Sequence, residues 1–446
     1  MPDHATSNDP AVQAQLDRLT MLSPGKDVLG LERITTLLDR LGNPHHNLPP
    51  VFHVSGTNGK GSTCAFLRGA IEAAGLTAHV YSSPHLVRFN ERIRVAGRLI
   101  DDITLSALLS VVLDHAEGLE ASFFEVTTAV AFCAFARTKA DACIVEVGLG
   151  GRLDATNVLT KPVACGIASL GLDHEAFLLA AEDGVPDMPP LDRIAFEKAG
   201  IAKSGAPLVT QKYSASMAST VAAQASVHNA ILHARGEDWD ATVYDGRLHY
   251  SDAAGKLNLP LPRMPGAHQA DNAALAVAML RYQSAISVPE AALSAAMEWT
   301  RWPARMQLLA AGPLTNLLPD GSHIWLDGGH NPDAGGVIAK ILENGAPVHV
   351  IIGMLKNKDA LGFLTPFASK IATLTAVPIP GHEHHLPTAL CDLALSELHI
   401  ADARPAGDIV TALTRVAGPQ APANVLICGS LYLAGEVLRL NDQVPD

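Results

Sequence analysis

At 446 residues the chain is too long for one ordinary core, which predicts two domains. Hydrophobic residues make up 48% and charged residues 17%, as in a packed globular protein rather than a disordered one. Lys and Arg total 32 against 45 Asp and Glu, a formal charge of -13 that argues against a nucleic-acid partner but leaves room for an anionic substrate in a locally positive pocket.

The opening residues, MPDHATSNDPAVQAQ, lack the basic start and apolar core of a signal peptide. No apolar stretch reaches membrane-spanning length uninterrupted, so a soluble, cytoplasmic protein with no membrane partner is expected. VFHVSG (51–56) reads as a strand, GTNGKGS as a turn and TCAFLRGAIEAAG (63–75) as a helix ended by Gly75. TAHVYSS (77–83), DACIVEVG (141–148) and KPVACGIASLG (161–171) read as further strands, the second nearly continuous and β-branched, as for a strand covered on both faces. The acidic, Pro-rich stretch 177–192 reads as a surface loop.

The same grammar restarts after about residue 300, where a boundary is placed near Trp302–Pro303, giving domains 1–300 and 301–446. HIWLDGG (323–329), PVHVIIGML (347–355), ATLTAVPIP (372–380) and NVLICGS (424–430) predict four strands; DAGGVIAKILENG (333–345) and LYLAGEVLRL (431–440) predict helices. Strand–helix alternation of this kind implies an α/β fold with mostly parallel sheets. Cys64, Cys133, Cys143, Cys165, Cys391 and Cys428 lie far apart without a C-x-x-C pair, so buried reduced thiols are expected.

The most informative motif is SGTNGKGST, Ser55 to Thr63, between a strand and a helix. Its glycines let successive N–H groups turn inward as a nest for phosphate oxygens, and the helix start presents its positive dipole end to the same anion. Lys60 adds a full charge and Ser62 a hydroxyl, although Gly61 separates them and so breaks the ordinary Walker A spacing. Ser83, Glu146 and His174 each fall at or beyond the C-terminal end of a predicted strand, the edge where parallel sheets bind ligands. The residues alone leave two readings: a cation site completed by ATP oxygens, or separate structural hydrogen bonders, and a histidine is an unusual magnesium ligand.

Lys198 in FEKAGI, by itself, reads as a solvated surface charge. Asn272 opens an alanine-rich helix suited to close packing. In LDGGHNPDA, Asp327, His330 and Asn331 follow a strand end and fit equally a nucleotide or amine grip and a turn with a helix cap.

Together VLGLERITTLLDRLG, HVSGTNGKGST, YSSPHLVRFNERIRVAG, FFEVTTA, VEVGLGGRLDATN, GLDH, FEKAGI, WPARMQ, DGGHNP, GMLKNKD and CGSLYLAGE resemble, in order, the bifunctional dihydrofolate synthase/folylpolyglutamate synthase family of the Mur ligase superfamily. The resemblance implies an N-terminal P-loop ATPase domain, a smaller Rossmann-like C-terminal domain and an active site between them. It implies ATP at Thr57, Asn58, Gly59, Lys60, Gly61 and Ser62, completed by Asn272, Arg305 and Asp327, with Mg2+ on Ser83, Glu146 and His174. Pterin-acid contacts are implied for Val28, Leu29 and Gly30, for Ser122, Phe123, Phe124 and Glu125, and for Leu153, Asp154 and Ala155. Lys198 matches the family's carbamylated lysine, and His330 and Ser430 the glutamate-binding side, with His330 a candidate base.

The activity so implied is ATP-dependent ligation of L-glutamate to dihydropteroate and to folate mono- and polyglutamates, through an acyl phosphate, by a monomer. A Mur-type ligase of cell-wall precursors and a non-catalytic nucleotide switch are the alternatives; the GLERI start and the SSPHLVRFNERIRV run favour the folate branch, and the switch leaves the second-domain motifs unexplained. Ala304 stands where the family usually has glycine and Gly329 where alanine is common, both small-for-small. The longer stretch between His174 and Glu197 is expected to reshape the substrate mouth.

Overall fold

The computed structural model describes residues 5–22, 29–182, 185–417 and 421–446. It divides into two compact units. The first holds residues up to His85, Phe89–Arg263 and Ala267–Arg301; the second holds Leu86–Arg88, Met264–Gly266 and Trp302–Asp446. Among the described residues no helix is long and apolar enough to cross a membrane, and the six cysteines are all unpaired and buried.

The first unit is built on eight strands: β1 (Val51–Ser55), β2 (Ala78–Tyr81), β3 (Ile93–Val95), β4 (Arg98–Leu99), β5 (Ala142–Glu146), β6 (Ala164–Ile167), β7 (Pro207–Thr210) and β8 (Ile231–Ala234). Their order is β4-β3-β2-β5-β1-β6-β7-β8. All neighbours from β2 to β8 run parallel, while β3 and β4 add an antiparallel edge. The central strands β1 and β5 are buried at every position, which is why apolar residues do not simply alternate along them, although β1 also buries His53 and Ser55 and β5 ends on Glu146.

A separate antiparallel meander, β9 (Trp239–Tyr244), β10 (Arg247–Asp252) and β11 (Gly255–Pro260), was not expected from the sequence. Its burial alternates along β9 and β10, so that Trp239, Ala241, Leu248 and Tyr250 face inward. The stretch 177–192 also differs from expectation, since helix enters it from both ends. The helix Glu175–Leu178 runs into it, and the helix Pro190–Ala199 begins inside it and buries Asp192. Two further predictions shift: the helix after β1 starts at Lys60, and Asn272 lies in the second turn of the helix Ala267–Arg281 rather than opening it.

The second unit carries β12 (Gln307–Leu308), β13 (His323–Leu326), β14 (Val348–Ile352), β15 (Ile371–Ala376), β16 (Ala403–Pro405) and β17 (Asn424–Cys428), in the order β12-β13-β17-β14-β15-β16. All but β12 are parallel. Period-two alternation splits the strand residues between two cores: Ile351, Val425 and Ile427 join the helices Ile409–Val416 and Leu431–Leu440, while Val350, Ile352 and Leu426 join the helices Pro332–Leu342 and Pro387–Ser396. Both faces are covered, so the carboxyl edge of the sheet is where loops can host a ligand.

Candidate active site

In the first sheet β2, β5, β1 and β6 are consecutive neighbours, so their C-terminal loops lie side by side. That edge carries Ser83, Glu146, the turn 56–59 and the 168–174 segment. The turn is held open by two glycines. Gly56 has φ +148, and a Cβ there would stand 2.9 Å from the Ala168 Cβ; Gly59 has φ +86, and a Cβ there would collide with Asn272 Oδ1. Asn272 is steadied in turn by donating to Gln269 Oε1 at 3.2 Å.

The first helical hydrogen bond runs from Thr63 N–H to Gly59 O at 2.9 Å, so the N–H groups of Lys60, Gly61 and Ser62 have no acceptor within their helix. This is the anion-ready end expected from the motif. Thr57 is used to close the turn: its N–H donates to Ser169 O at 2.7 Å, and its hydroxyl donates to Gly171 O at 2.9 Å. Asn58 pairs with Ser169 across the turn.

Two ammonium groups meet on one carbonyl. Lys60 Nζ donates to Gly56 O at 2.9 Å and to Thr57 O at 3.3 Å, and Lys198 Nζ donates to the same Gly56 O at 3.0 Å. Lys198 is 4% exposed, contrary to its reading as a solvated charge. Burial and then the charge on Lys60 push its ammonium down to about 7, against partial support from Asp173, Asp154 and Glu197. A lysine in that range holds a large neutral fraction at physiological pH and can act as a nucleophile toward carbon dioxide.

Glu146 ends β5, is 4% exposed, and accepts the Ser83 N–H at 3.4 Å. His174 has φ +53, takes Asp173 Oδ1 on its N–H at 2.8 Å, and keeps a 40% exposed side chain. Among the described residues no group of three His, Cys, Asp or Glu side chains is arranged to hold a metal. A magnesium ion suits this poverty of protein ligands, because it usually takes one or two carboxylates and completes its shell with phosphate oxygens and water. A buried carboxylate beside a phosphate-ready turn is such a donor set.

The three candidate pterin stretches converge, with Val28 outside the described residues. Leu29 and Gly30 lead into the helix Glu32–Arg40, whose Arg33 Nε is 3.1 Å from Glu125 Oε2. Ser122 and Glu125 form a capping box: Ser122 N–H donates to Glu125 Oε2 at 2.6 Å, and Glu125 N–H donates to Ser122 Oγ at 3.2 Å. Glu125 Oε1 is buried with no hydrogen-bond partner among the described residues. Phe123 meets Phe89 edge-on with ring centroids 6.1 Å apart. The Phe124 ring covers Gly148, where any Cβ would collide with it, and so touches the start of the 148–155 loop. In that loop Asp154 caps the turn Ala155–Val158, accepting from Thr156 N–H at 3.0 Å and Leu149 N–H at 2.8 Å, while Leu153 precedes it and burial raises its carboxyl. Arg33 is the contact that motif reading missed, although it lay within GLERI.

In the second unit, Asp327 follows β13 and fastens two candidate stretches together. Its carboxylate accepts Gly329 N–H at 2.7 Å and Met306 N–H at 2.8 Å, while Gly328 N–H donates to Ala304 O at 2.9 Å, so Arg305 sits beside DGGHNP. His330 Nδ1 lies 2.9 Å from Gly328 O. A carbonyl can only accept, so Nδ1 carries a proton, which leaves Nε2 as the basic nitrogen of that tautomer. Gly429 N–H donates to Gly329 O at 3.1 Å, which brings Ser430 to the same edge. Ser430 is buried and its hydroxyl caps the helix Leu431–Leu440 by accepting Tyr432 N–H at 3.1 Å.

No family model matches the chain. The dihydrofolate synthase/folylpolyglutamate synthase of Escherichia coli (strain K12) is 34% identical over 421 residues, covering 93% of this chain and 92% of that protein. The solved structure of E. coli FolC in complex with DHPP and ADP matches with a TM-score of 0.84 at 32% identity, covering 98% of each chain. A bifunctional folylpolyglutamate synthase/dihydrofolate synthase with Mn, AMPPNP and L-glutamate bound matches with a TM-score of 0.82 at 29% identity, covering 97% of this chain and 99% of that one. With a third of its residues identical across more than nine-tenths of both chains, this chain belongs to the dihydrofolate synthase/folylpolyglutamate synthase family.

Proposed function

We propose that the chain ligates L-glutamate to dihydropteroate and to folate mono- and polyglutamates, spending ATP. The observation that carries this reading is the pair of lysines sharing the Gly56 carbonyl at a phosphate-ready helix start. A carboxylate is a poor acylating agent because its oxygen leaves reluctantly. Transfer of the ATP γ-phosphoryl to that oxygen gives an acyl phosphate and ADP. Glutamate nitrogen then attacks the acyl carbon, the C–N bond forms, the C–O bond to phosphate breaks, and the amine loses a proton.

In this reading Lys60 leaves the turn carbonyls to meet the phosphoryl charge, and the Lys60–Ser62 amides bind phosphate oxygens with Thr57, Asn58 and Gly59 shaping the turn. Ser83, Glu146 and His174, joined by a carbamylated Lys198, would hold magnesium, which supplies electrophilic assistance at the phosphate oxygens. Asn272, Arg305 and Asp327 complete the nucleotide site, and His330 Nε2, with Ser430 nearby, receives the amine proton and orients glutamate. Glu125 Oε1, buried and without a hydrogen-bond partner among the described residues, suits the paired N–H donors of a pterin ring, for a buried acceptor left alone is costly. Residues 1–300 act as the ATPase domain and 301–446 as the glutamate ligase domain. The charge of -13 fits a protein that binds no nucleic acid, and we take it to work as a cytoplasmic monomer apart from membranes.

The test is amide formation with dihydropteroate and tetrahydrofolate side by side, each with ATP, magnesium and glutamate. Glutamate-dependent phosphate release is expected with both acids. Release with a UDP-muramyl acid alone, or nucleotide binding with no acid-stimulated release, would defeat the reading.

A further inference from the structure

Two arginines and two glutamates form an ion-pair ring beside the candidate pterin loop. Arg152 reaches Glu182 through both Nη atoms, one of them at 3.1 Å, and reaches Glu197 through Nε at 3.1 Å and Nη2 at 3.0 Å. Arg193 Nη2 lies 2.9 Å from Glu197 and 3.4 Å from Glu182, and Arg193 Nε donates to Leu178 O at 3.1 Å. Both guanidiniums lie over the Phe196 ring, each 5.5 Å from its centroid. Two guanidiniums that share the same two carboxylates therefore both lie against one aromatic ring.

The ring is anchored to the fold most firmly at Arg152 and Glu197. Arg152 N–H donates to Glu197 O at 2.8 Å, and its carbonyl accepts from Asn157 Nδ2 at 2.9 Å. The neighbouring glycines allow this closeness: a Cβ on Gly151 would stand 2.8 Å from Glu197 O, and one on Gly200 would collide with the Arg152 side chain. Glu197 is buried on the helix that carries Lys198. Glu182, in contrast, is 40% exposed and comes from the stretch between the helices Glu175–Leu178 and Pro190–Ala199. It is the outer hand on a side chain whose backbone leads straight into Leu153, Asp154 and Ala155.

We propose that Glu182 is a positioning residue for the acid substrate: by gripping Arg152 and Arg193 over Phe196 it fixes the Arg152–Ala155 loop, so that Glu182 sets affinity for the pterin-bearing acid rather than for ATP or glutamate. This rests on the reading that the 153–155 loop meets that acid. A bidentate guanidinium–carboxylate pair fixes orientation as well as distance, which is what a loop needs to present its backbone in one register. Glu182 is the one exposed member of the ring, so loss of its grip should register in substrate binding before it registers in folding.

The experiment measures KM for dihydropteroate, ATP and glutamate, with kcat and Tm, in the full chain and in Glu182→Ala, Glu182→Gln, Glu182→Asp and Leu153→Ala. Glu182→Ala and Glu182→Gln should raise KM for dihydropteroate about three- to tenfold, with ATP and glutamate KM within about twofold and Tm held; Glu182→Asp should recover part of the loss. If Leu153→Ala raises the dihydropteroate KM and Glu182→Ala does not, the positioning role is overturned while the loop keeps its substrate. If neither moves that KM, the pterin assignment of the loop fails first and the proposal falls with it. A general rise in all three KM values together with a lower Tm makes Glu182 merely structural and overturns the proposal.

Discussion

Replacing Lys198 by methionine, which keeps the stem and removes the charge, should make the protein more stable at neutral pH. The folded state holds this ammonium down at about 7, against 10.5 for an ordinary lysine, because burial strips its water and Lys60 repels it. Between those two values the unfolded chain binds a proton that the folded chain does not, so wild-type stability climbs with pH across that window and is flat below it. At about 1.4 kcal/mol per unit, the wild type should gain about 3 kcal/mol relative to Lys198→Met between pH 7 and 9.5. Urea denaturation of both proteins at the two pH values, in buffers purged of carbon dioxide, gives the difference directly, since other titrating groups cancel. Added bicarbonate should then stabilise the wild type and leave the variant unmoved, because a modification confined to the folded state pulls the equilibrium toward it. Parallel pH profiles for the two proteins would show that Lys198 is not held neutral and would refute the electrostatic argument.

Lys60→Ala should lower the ligation rate by on the order of 10²-fold or more while leaving the fold intact, measured by glutamate-dependent phosphate release. Gly59→Ala should fail in nucleotide binding, read by fluorescent ATP-analogue titration, because the new Cβ strikes Asn272 Oδ1 and φ is +86. Ala304, with φ +55, occupies a conformation that costs an L-residue roughly 1–2 kcal/mol, so Ala304→Gly should shift the urea midpoint upward, less the entropy glycine adds to the unfolded chain. An unchanged or lower midpoint would show that the left-handed turn is not strained.

Much of the frame was legible because its signals are local. Runs rich in apolar, β-branched residues marked β1, β5, β14 and β17, and the glycine-lysine motif after β1 marked a candidate phosphate site through residues contiguous in sequence. The meander β9–β11 carries an equally local signal: the Asp245-Gly246 pair is the dipeptide of a tight hairpin turn, and both residues have positive φ between strands with alternating burial. β12 and β16 have two and three residues, too short for any periodicity to show. Taken by residue type alone Lys198 reads as a surface charge, and only the resemblance carried by FEKAGI singles it out. Its ammonium donates to the carbonyl of Gly56, 142 positions away, and is held down by burial and then by the charge on Lys60. The double commitment of the Asp327 carboxylate, and the ion pair from Arg33 to Glu125, 92 positions apart, are likewise products of the folded chain. The small-for-small exchange at Ala304 looked neutral until its φ was known.

Three residues from the first part of the sequence, Leu86–Arg88, group with the second unit. Leu86 and Val87 pack against its core, the Leu86 carbonyl fills the notch left by Gly435, and Arg88 donates to Pro445 O at 2.9 Å. An excised fragment starting at residue 302 would therefore leave a groove along the helix Leu431–Leu440 and an apolar patch that the intact chain covers with a segment encoded more than two hundred residues upstream. Anyone dividing this enzyme for expression would do better to supply that tripeptide in trans, or to keep the chain whole.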